Sequence, residues 1–315
     1  MTREELYEEI RSNLEAHIRE NHEDAEVSIQ TYTKNNGVER TGLAVTGTGS
    51  NIQPIIYLDS AYKQYENSWS VEEICNNISD VYDRSLGSEI NVENIFDYEN
   101  TKGNLSVCVR NAEMNADLLE KAPHEIVGDL AVMYRIEMGI VGADGGVGSV
   151  LVNNEFMKRF GVSEEQLKAD AWASQRANHP YTFRTMKDVM IDMMGGDVPE
   201  ELQAAFDQEP VSMNILSAGD GVNGAVYMCD KEALAEVAEK LGDNLVILPS
   251  SIHECIVLRE SQALDMDSLK DMVETVNATE VSPDERLSDN VYTYDAQTQE
   301  LTVYTGEQQV MQQTM

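Results

Sequence analysis

The chain has 315 residues, 42% hydrophobic and 25% charged. That composition is globular, and the length suffices for one large core or two ordinary ones. Twenty-two basic residues against 57 acidic leave a net charge of −35, a field that repels nucleic-acid phosphates and anionic membranes and argues against binding either.

The N-terminus, Met1-Thr2-Arg3-Glu4-Glu5, is acidic, and no apolar run reaches the length of a membrane span. Neither an export signal nor a spanning helix is expected, and a cytoplasmic location is. Cys75, Cys108, Cys229 and Cys255 form no CxxC pair, so they read as buried free thiols rather than zinc ligands or a redox motif. Five Phe and two Trp against thirteen Tyr and fifteen Met predict a core that leans on aliphatics and methionine.

In chain order, the spacing predicts a first helix over 2–20. Thr2-x-x-Glu5 is a capping box, and Leu6, Ile10, Leu14 and Ile18 form an i, i+4 stripe. Alternation over 27–33 and 38–45 flanks Asn36-Gly37, a hairpin turn. A strand over 54–58 runs into Asp59, expected to N-cap a short helix. Ser70-x-x-Glu73 caps the next helix, with Val71, Ile74, Cys75, Ile78 and Tyr82 on one face.

Strands are expected over 130–140 and 211–216, each followed by a Gly-rich run. Gly142–Asn154 lies over Ala218–Asp230, with Asp144-Gly145 matching Asp220-Gly221. Both are read as copies of one β-hairpin–helix unit. Between them, a helical insert over 153–206 carries the Ser163-x-x-Gln166 cap and a stripe of Met186, Val189, Met190 and Met193 ended by Gly195-Gly196. A helix over 231–241 stops at Gly242. LVILPSSIHECIVL (Leu245–Leu258) then predicts antiparallel strands closed by Pro249–Ser251. A helix with Leu269, Met272, Val273 and Val276 follows. Ser282-Pro283-Asp284-Glu285 reads as a helix start, and a last hairpin joins 291–294 to 301–304.

The fold class is α+β, with mainly antiparallel sheets built from hairpin–helix units and a helical insert. Domains are expected at 1–121 and 122–304, with a loose tail at 305–315 and one continuous assembly as the alternative. RTGLAV (Arg40–Val45), SNIQPIIYLDSAYKQY (Ser50–Tyr65), LVILPSSIHECIVL and LSDNVYTYD (Leu287–Asp295) resemble an uncharacterised family of anaerobic Gram-positive bacteria, often encoded on mobile elements. The resemblance implies no activity.

The residues that could carry chemistry read more simply as structure. Gly139–Gly148 lacks both GxGxxG spacing and a following Lys-Ser or Lys-Thr, so a turn is expected rather than a phosphate cradle. His253 and Cys255, two apart on one predicted strand face, stand roughly 7 Å apart at their roots, awkward for direct activation. Ser250-Ser251 has no nucleophile-elbow motif around it. His124 and His179 sit at loop-like positions, and His17 and His22 are expected to face solvent. Asp188 and Asp192, an i, i+4 pair, could hold a cation but read as a solvated face. No catalytic residue, metal or cofactor is assigned.

Charge is uneven along the chain. From Arg135 to Lys187 there are seven basic and six acidic residues, whereas from Asp188 to Asp230 there are nine acidic and none basic. These features lead first to a non-catalytic interaction or accessory factor with an unidentified protein partner. A nucleic-acid mimic that inhibits a DNA-binding protein is the second reading. The third is a hydrolase or transferase holding an anionic substrate with Arg135, Lys158, Arg159, Arg176 and Arg184.

Overall fold

The computed structural model describes residues 1–48, 55–85, 94–141, 147–195, 212–249, 251–263 and 265–305. The chain divides into two compact units, Met1–Thr101 with Ile136–Val150 and Lys102–Arg135 with Leu151–Met315. Lys121 therefore lies within the second unit. Among the described residues no helix is long and apolar enough to cross a membrane.

In the first unit, α1 (Arg3–Arg19) opens with the expected capping box: Thr2 Oγ1 accepts the Glu5 amide at 3.2 Å and Glu5 returns the bond at 2.7 Å. Its stripe of Leu6, Ile10, Leu14 and Ile18 is buried. β1 (Glu26–Thr33) and β2 (Glu39–Thr46) pair antiparallel through Asn36 and Gly37, both at positive φ. β3 (Ile55–Tyr57) adds to β2. α2 (Asp59–Glu66) starts one residue earlier than expected. Leu58 holds the cap position because it is buried and its amide bonds Thr41 on the sheet, which leaves Asp59 in the first turn without a capping bond. There its charge still suits the helix dipole. α3 (Val71–Ser85) carries the predicted Ser70–Glu73 box and packs on α1, burying Ile74, Cys75, Ile78 and Tyr82. His17 is not simply solvated: its Nε2 meets Asp83 at 2.9 Å. A short α4 (Tyr98–Thr101) ends this unit's N-terminal part.

Next in the chain come β4 (Leu105–Asn111), α5 (Ala116–Leu119), β5 (His124–Val127), β6 (Leu130–Val141) and β7 (Val147–Leu151), the strands in the order β4-β6-β5 with β7 on β6. Residues 136–150 of this run group with the first unit. His124 is the first residue of a strand, not of a loop, and pairs with Met133. After α6 (Asn154–Phe160) and α7 (Glu164–Asn178), Pro180 stops the helix and Tyr181–Thr185 forms β8. The expected helical insert is thus interrupted by a strand. Its alternating, β-rich sequence fits an open place beside β9. α8 (Met186–Met193) follows, and the rest of that insert lies outside the described residues.

β8 joins β9 (Asn214–Ala218), β10 (Leu245–Leu248), β11 (Glu254–Arg259), β12 (Tyr292–Asp295) and β13 (Glu300–Val303) in an antiparallel sheet ordered β13-β12-β10-β11-β9-β8. α9 (Lys231–Leu241) and α10 (Met266–Thr279) complete the second unit. The hairpin predicted at Leu245–Leu258 is present, with Leu245 opposite Arg259 and Leu248 opposite Ile256. Ile252 stays outside the strand, and Ser250 outside the described residues.

The two Gly-rich segments do not form the same unit among the described residues. In the first, β7 pairs with β6 and feeds α6, while Gly142–Gly146 lies outside the described residues. In the second, Gly224–Cys229 forms 3-10 turns instead of a strand. A Cβ at Gly224 would sit 1.9 Å from the Ala218 amide nitrogen. That approach folds Ala225–Met228 under β9, where they are wholly buried. Gly221 does take the positive φ expected of a turn. Ser282–Glu285 forms a turn and not a helix start, because Leu287 and Ser288 are drawn into the interior just beyond it. The core also differs from expectation. Met133 and Met228 are the buried methionines among the described residues, whereas eight tyrosines are buried, Tyr82, Tyr227, Tyr292 and Tyr294 almost completely.

Candidate functional site

A cavity of about 530 Å³ opens within the second unit. One wall is α7, where Lys168, Trp172 and Arg176 recur at i, i+4 and i+8 and so share a face. A second wall is the start of α9. Asp230 caps that helix, accepting the Glu232 amide at 3.0 Å, and takes Arg176 Nε at 2.8 Å and Nη2 at 2.6 Å. Arg176 Nη1 reaches Glu232 at 2.8 Å, and the guanidinium lies 5.7 Å from the Trp172 ring centroid. The Asp230 carboxylate is nearly inaccessible to solvent, so its fixed bidentate partner offsets a desolvation that would otherwise be costly. The bond to Asp230, more than the flanking charge, raises the Arg176 pKa.

β5 supplies Glu125 and Val127, and Glu125 binds Lys168 at 2.5 Å. The remaining side is β12 and β13. Tyr294 is 1% exposed, and its hydroxyl has no hydrogen-bond partner among the described residues. Burial, followed by the Asp295 charge, raises its pKa and keeps it protonated. Gln299, Glu300, Leu301 and Thr302 all line the cavity. Consecutive strand residues point to opposite faces, so the three in a row from β13, Glu300, Leu301 and Thr302, place the cavity along the edge of β13 rather than beneath one face. β13 is the terminal strand of its sheet, as β5 is of the other.

The thiols and histidines singled out from the sequence are held by other groups. Cys229 lines the cavity, but burial and then the charges of Glu125 and Asp230 push its thiol up to about 12, far from a thiolate nucleophile. Cys255 is shifted the same way, mainly by burial, and its sulfur lies 3.8 Å from the Leu216 carbonyl. His253 does not turn to it: Nδ1 accepts the Asn223 amide at 3.2 Å and Nε2 stands 3.6 Å from Glu285. Ser251 accepts the His253 amide in the turn. His179 meets Asp220 at 2.9 Å, and His124 Nδ1 lies 2.9 Å from the Ala122 carbonyl.

Asp188 and Asp192 are engaged separately, with Thr185 and Arg184. Among the described residues no three His, Cys, Asp or Glu side chains could share a metal ion. Of the five cations singled out for an anionic substrate, Arg176 alone lines this cavity; Lys158 pairs with Glu155 and Arg184 with Asp192. The α7 spacing that marks the wall was readable beforehand. Asp230's role was not, since its partner Arg176 lies 54 residues away, and neither was the place of Tyr294, whose cavity includes α7 and β5 residues more than a hundred positions away.

DUF5688, a family of unknown function, matches residues 3–296. The chain belongs to DUF5688. This confirms the resemblance as one to a family of unknown function. Within this DUF5688 chain the match takes in the α7, α9, β5 and β12 walls and stops before β13. No curated protein and no solved structure matches it.

Proposed function

We propose that this DUF5688 protein is a non-catalytic cytoplasmic interaction or accessory factor that docks an extended segment of a partner protein along β13. The observation that carries the reading is the run Glu300–Thr302 lining the cavity at a sheet edge. An edge strand offers a row of backbone donors and acceptors to an incoming strand, and an adjoining pocket selects its side chains. The pairing of Lys168 with Glu125 and of Arg176 with Asp230 and Glu232 agrees with a surface built to bind.

A photo-crosslinking residue at Thr302, compared with one at exposed Met272, tests this in a lysate of the native host. A partner captured from position 302 alone, then purified and shown to slow amide exchange at residues 300–302, is the expected result. Equal capture at both positions, or no slowing at β13, would sink the docking reading.

A second reading, inhibition of a DNA-binding protein by mimicry, draws on α1. Glu4, Glu8, Glu5 and Glu9 border a shallow groove in two rows one turn apart, a rise of about 6 Å, in a chain of charge −35. Displacement of duplex DNA from a nucleoid protein, lost in a variant with these four changed to Gln, is the outcome it requires. Transfer or hydrolysis of an anionic substrate has less support, since Arg176 is already held by Asp230 and Glu232.

A further inference from the structure

We infer that the segment received by the β13 cavity is basic, an extended peptide presenting lysine or arginine at alternate positions; the inference rests on the docking reading above and names its partner chemistry. The argument begins with which charges in the cavity are already used. Every nitrogen of the Arg176 guanidinium is engaged, Nε and Nη2 by Asp230 and Nη1 by Glu232. Lys168 is held by Glu125. Apart from exposed Lys231, an incoming carboxylate finds no cation it could pair with without displacing one of these internal carboxylates, and parting Arg176 from the buried Asp230 is costly.

An incoming cation meets no such obstacle. Glu300 is exposed at the cavity margin and has no ion-pair partner among the described residues. Glu232 and Glu125 are also accessible, at 71% and 44%, and each carboxylate can accept more than one donor. Lys231 is the countervailing charge, but Asp230 and Glu232 flank it in sequence and all three line the cavity. Counted over the lining, four carboxylates (Glu125, Asp230, Glu232, Glu300) face three cations (Lys168, Arg176, Lys231).

Two further features fit a lysine- or arginine-bearing strand. Tyr294 lines the cavity, and its buried hydroxyl has no partner among the described residues. Side chains alternate along a strand, so a peptide paired with β13 would direct every second residue toward the cavity. The net charge of −35 adds long-range attraction for a basic segment and speeds its encounter.

The test uses the full chain and three hexapeptides, Lys-Val-Lys-Val-Lys-Val and its counterparts with Glu or Ser in place of Lys. Calorimetry measures affinity, and amide exchange at residues 300–302 locates the site. The lysine peptide is expected to protect β13 and to bind at least about ten-fold more tightly than the serine peptide, the size of one favourable charge contact. In Glu300→Lys, an exposed change expected to leave the melting temperature unaltered, that preference should disappear. Protection of β13 by all three peptides with equal affinity overturns the basic class and leaves the docking reading standing. No protection by any of them overturns both. An unaltered lysine preference in Glu300→Lys overturns the inference too, because the attraction would then be the general field rather than this cavity.

Discussion

The two units have interiors of different kinds. The first is held by an aliphatic stripe: Leu6, Ile10, Leu14 and Ile18 of α1 against Ile74 and Ile78 of α3, with Leu43 and Val45 of β2 beneath them. Of the eleven buried polar residues found among those described, Thr101 belongs to the first unit and the other ten to the second. Several of those ten reach across long stretches of chain. Asn111 donates to the Leu287 carbonyl, Gln175 accepts the Val107 amide, and Asp230 holds Arg176. Apolar burial is graded and non-directional, whereas a buried polar group left without its partner costs its full desolvation. The first unit should therefore tolerate changes of shape that keep volume, and the second should not tolerate changes of chemistry that keep shape.

The two tryptophans allow this contrast to be measured, since Trp69 lies in the first unit and Trp172 in the second. Urea unfolding followed in single-tryptophan variants reads each unit separately. The largest effect is expected for Ile10→Ala, about 4 kcal/mol at the Trp69 probe, because Ile10 is fully buried and leaves a cavity. Ile10→Leu should cost under about 1.5 kcal/mol, as volume-conserving swaps do; a larger loss would break the contrast.

Asp230→Ala should lower stability at the Trp172 probe by about 2–4 kcal/mol, removing both the α9 cap and the partner of Arg176. The range is set below that of a fully buried pair because Arg176 is 36% accessible and keeps Glu232. Gln175→Met preserves shape but orphans the Val107 amide, and about 1–3 kcal/mol should be lost. A neutral result there would show that the polar interior of the second unit is not what holds it. The smallest effect is reserved for Tyr294→Phe. Its hydroxyl has no partner among the described residues, so stability should stay within about 0.5 kcal/mol or rise slightly. A loss above about 1 kcal/mol would mean that the hydroxyl serves the fold rather than a ligand.

Legibility followed the same division. The capping boxes at Thr2–Glu5 and Ser70–Glu73, the Asn36-Gly37 hairpin and the α1 and α3 stripes were readable because each is completed within a few residues. The Leu245–Leu258 hairpin and the Gly242 stop of α9 belong with them. Where the expectation failed, a distant contact had overruled a local signal. Gly224–Cys229 has the composition of a returning strand, yet packs under β9 because Gly224 lies against the Ala218 backbone. Ser282–Glu285 has the residues of a helix start, but the chain beyond it is taken up by Asp129, which receives Ser288, Asn290 and Tyr292.

By itself the sequence determined an acidic α+β protein, most of its helix ends and its short hairpins, because caps, turns and periodicity depend on residues that are neighbours in the chain. Tertiary structure alone decided that β8 joins the larger sheet, that β13 ends it, and that Lys168, Trp172, Arg176, Asp230 and Tyr294 border one cavity. Strand order and buried polar partnerships join residues tens to more than a hundred positions apart. No local pattern specifies them, because which distant group satisfies a buried donor depends on how the whole unit packs.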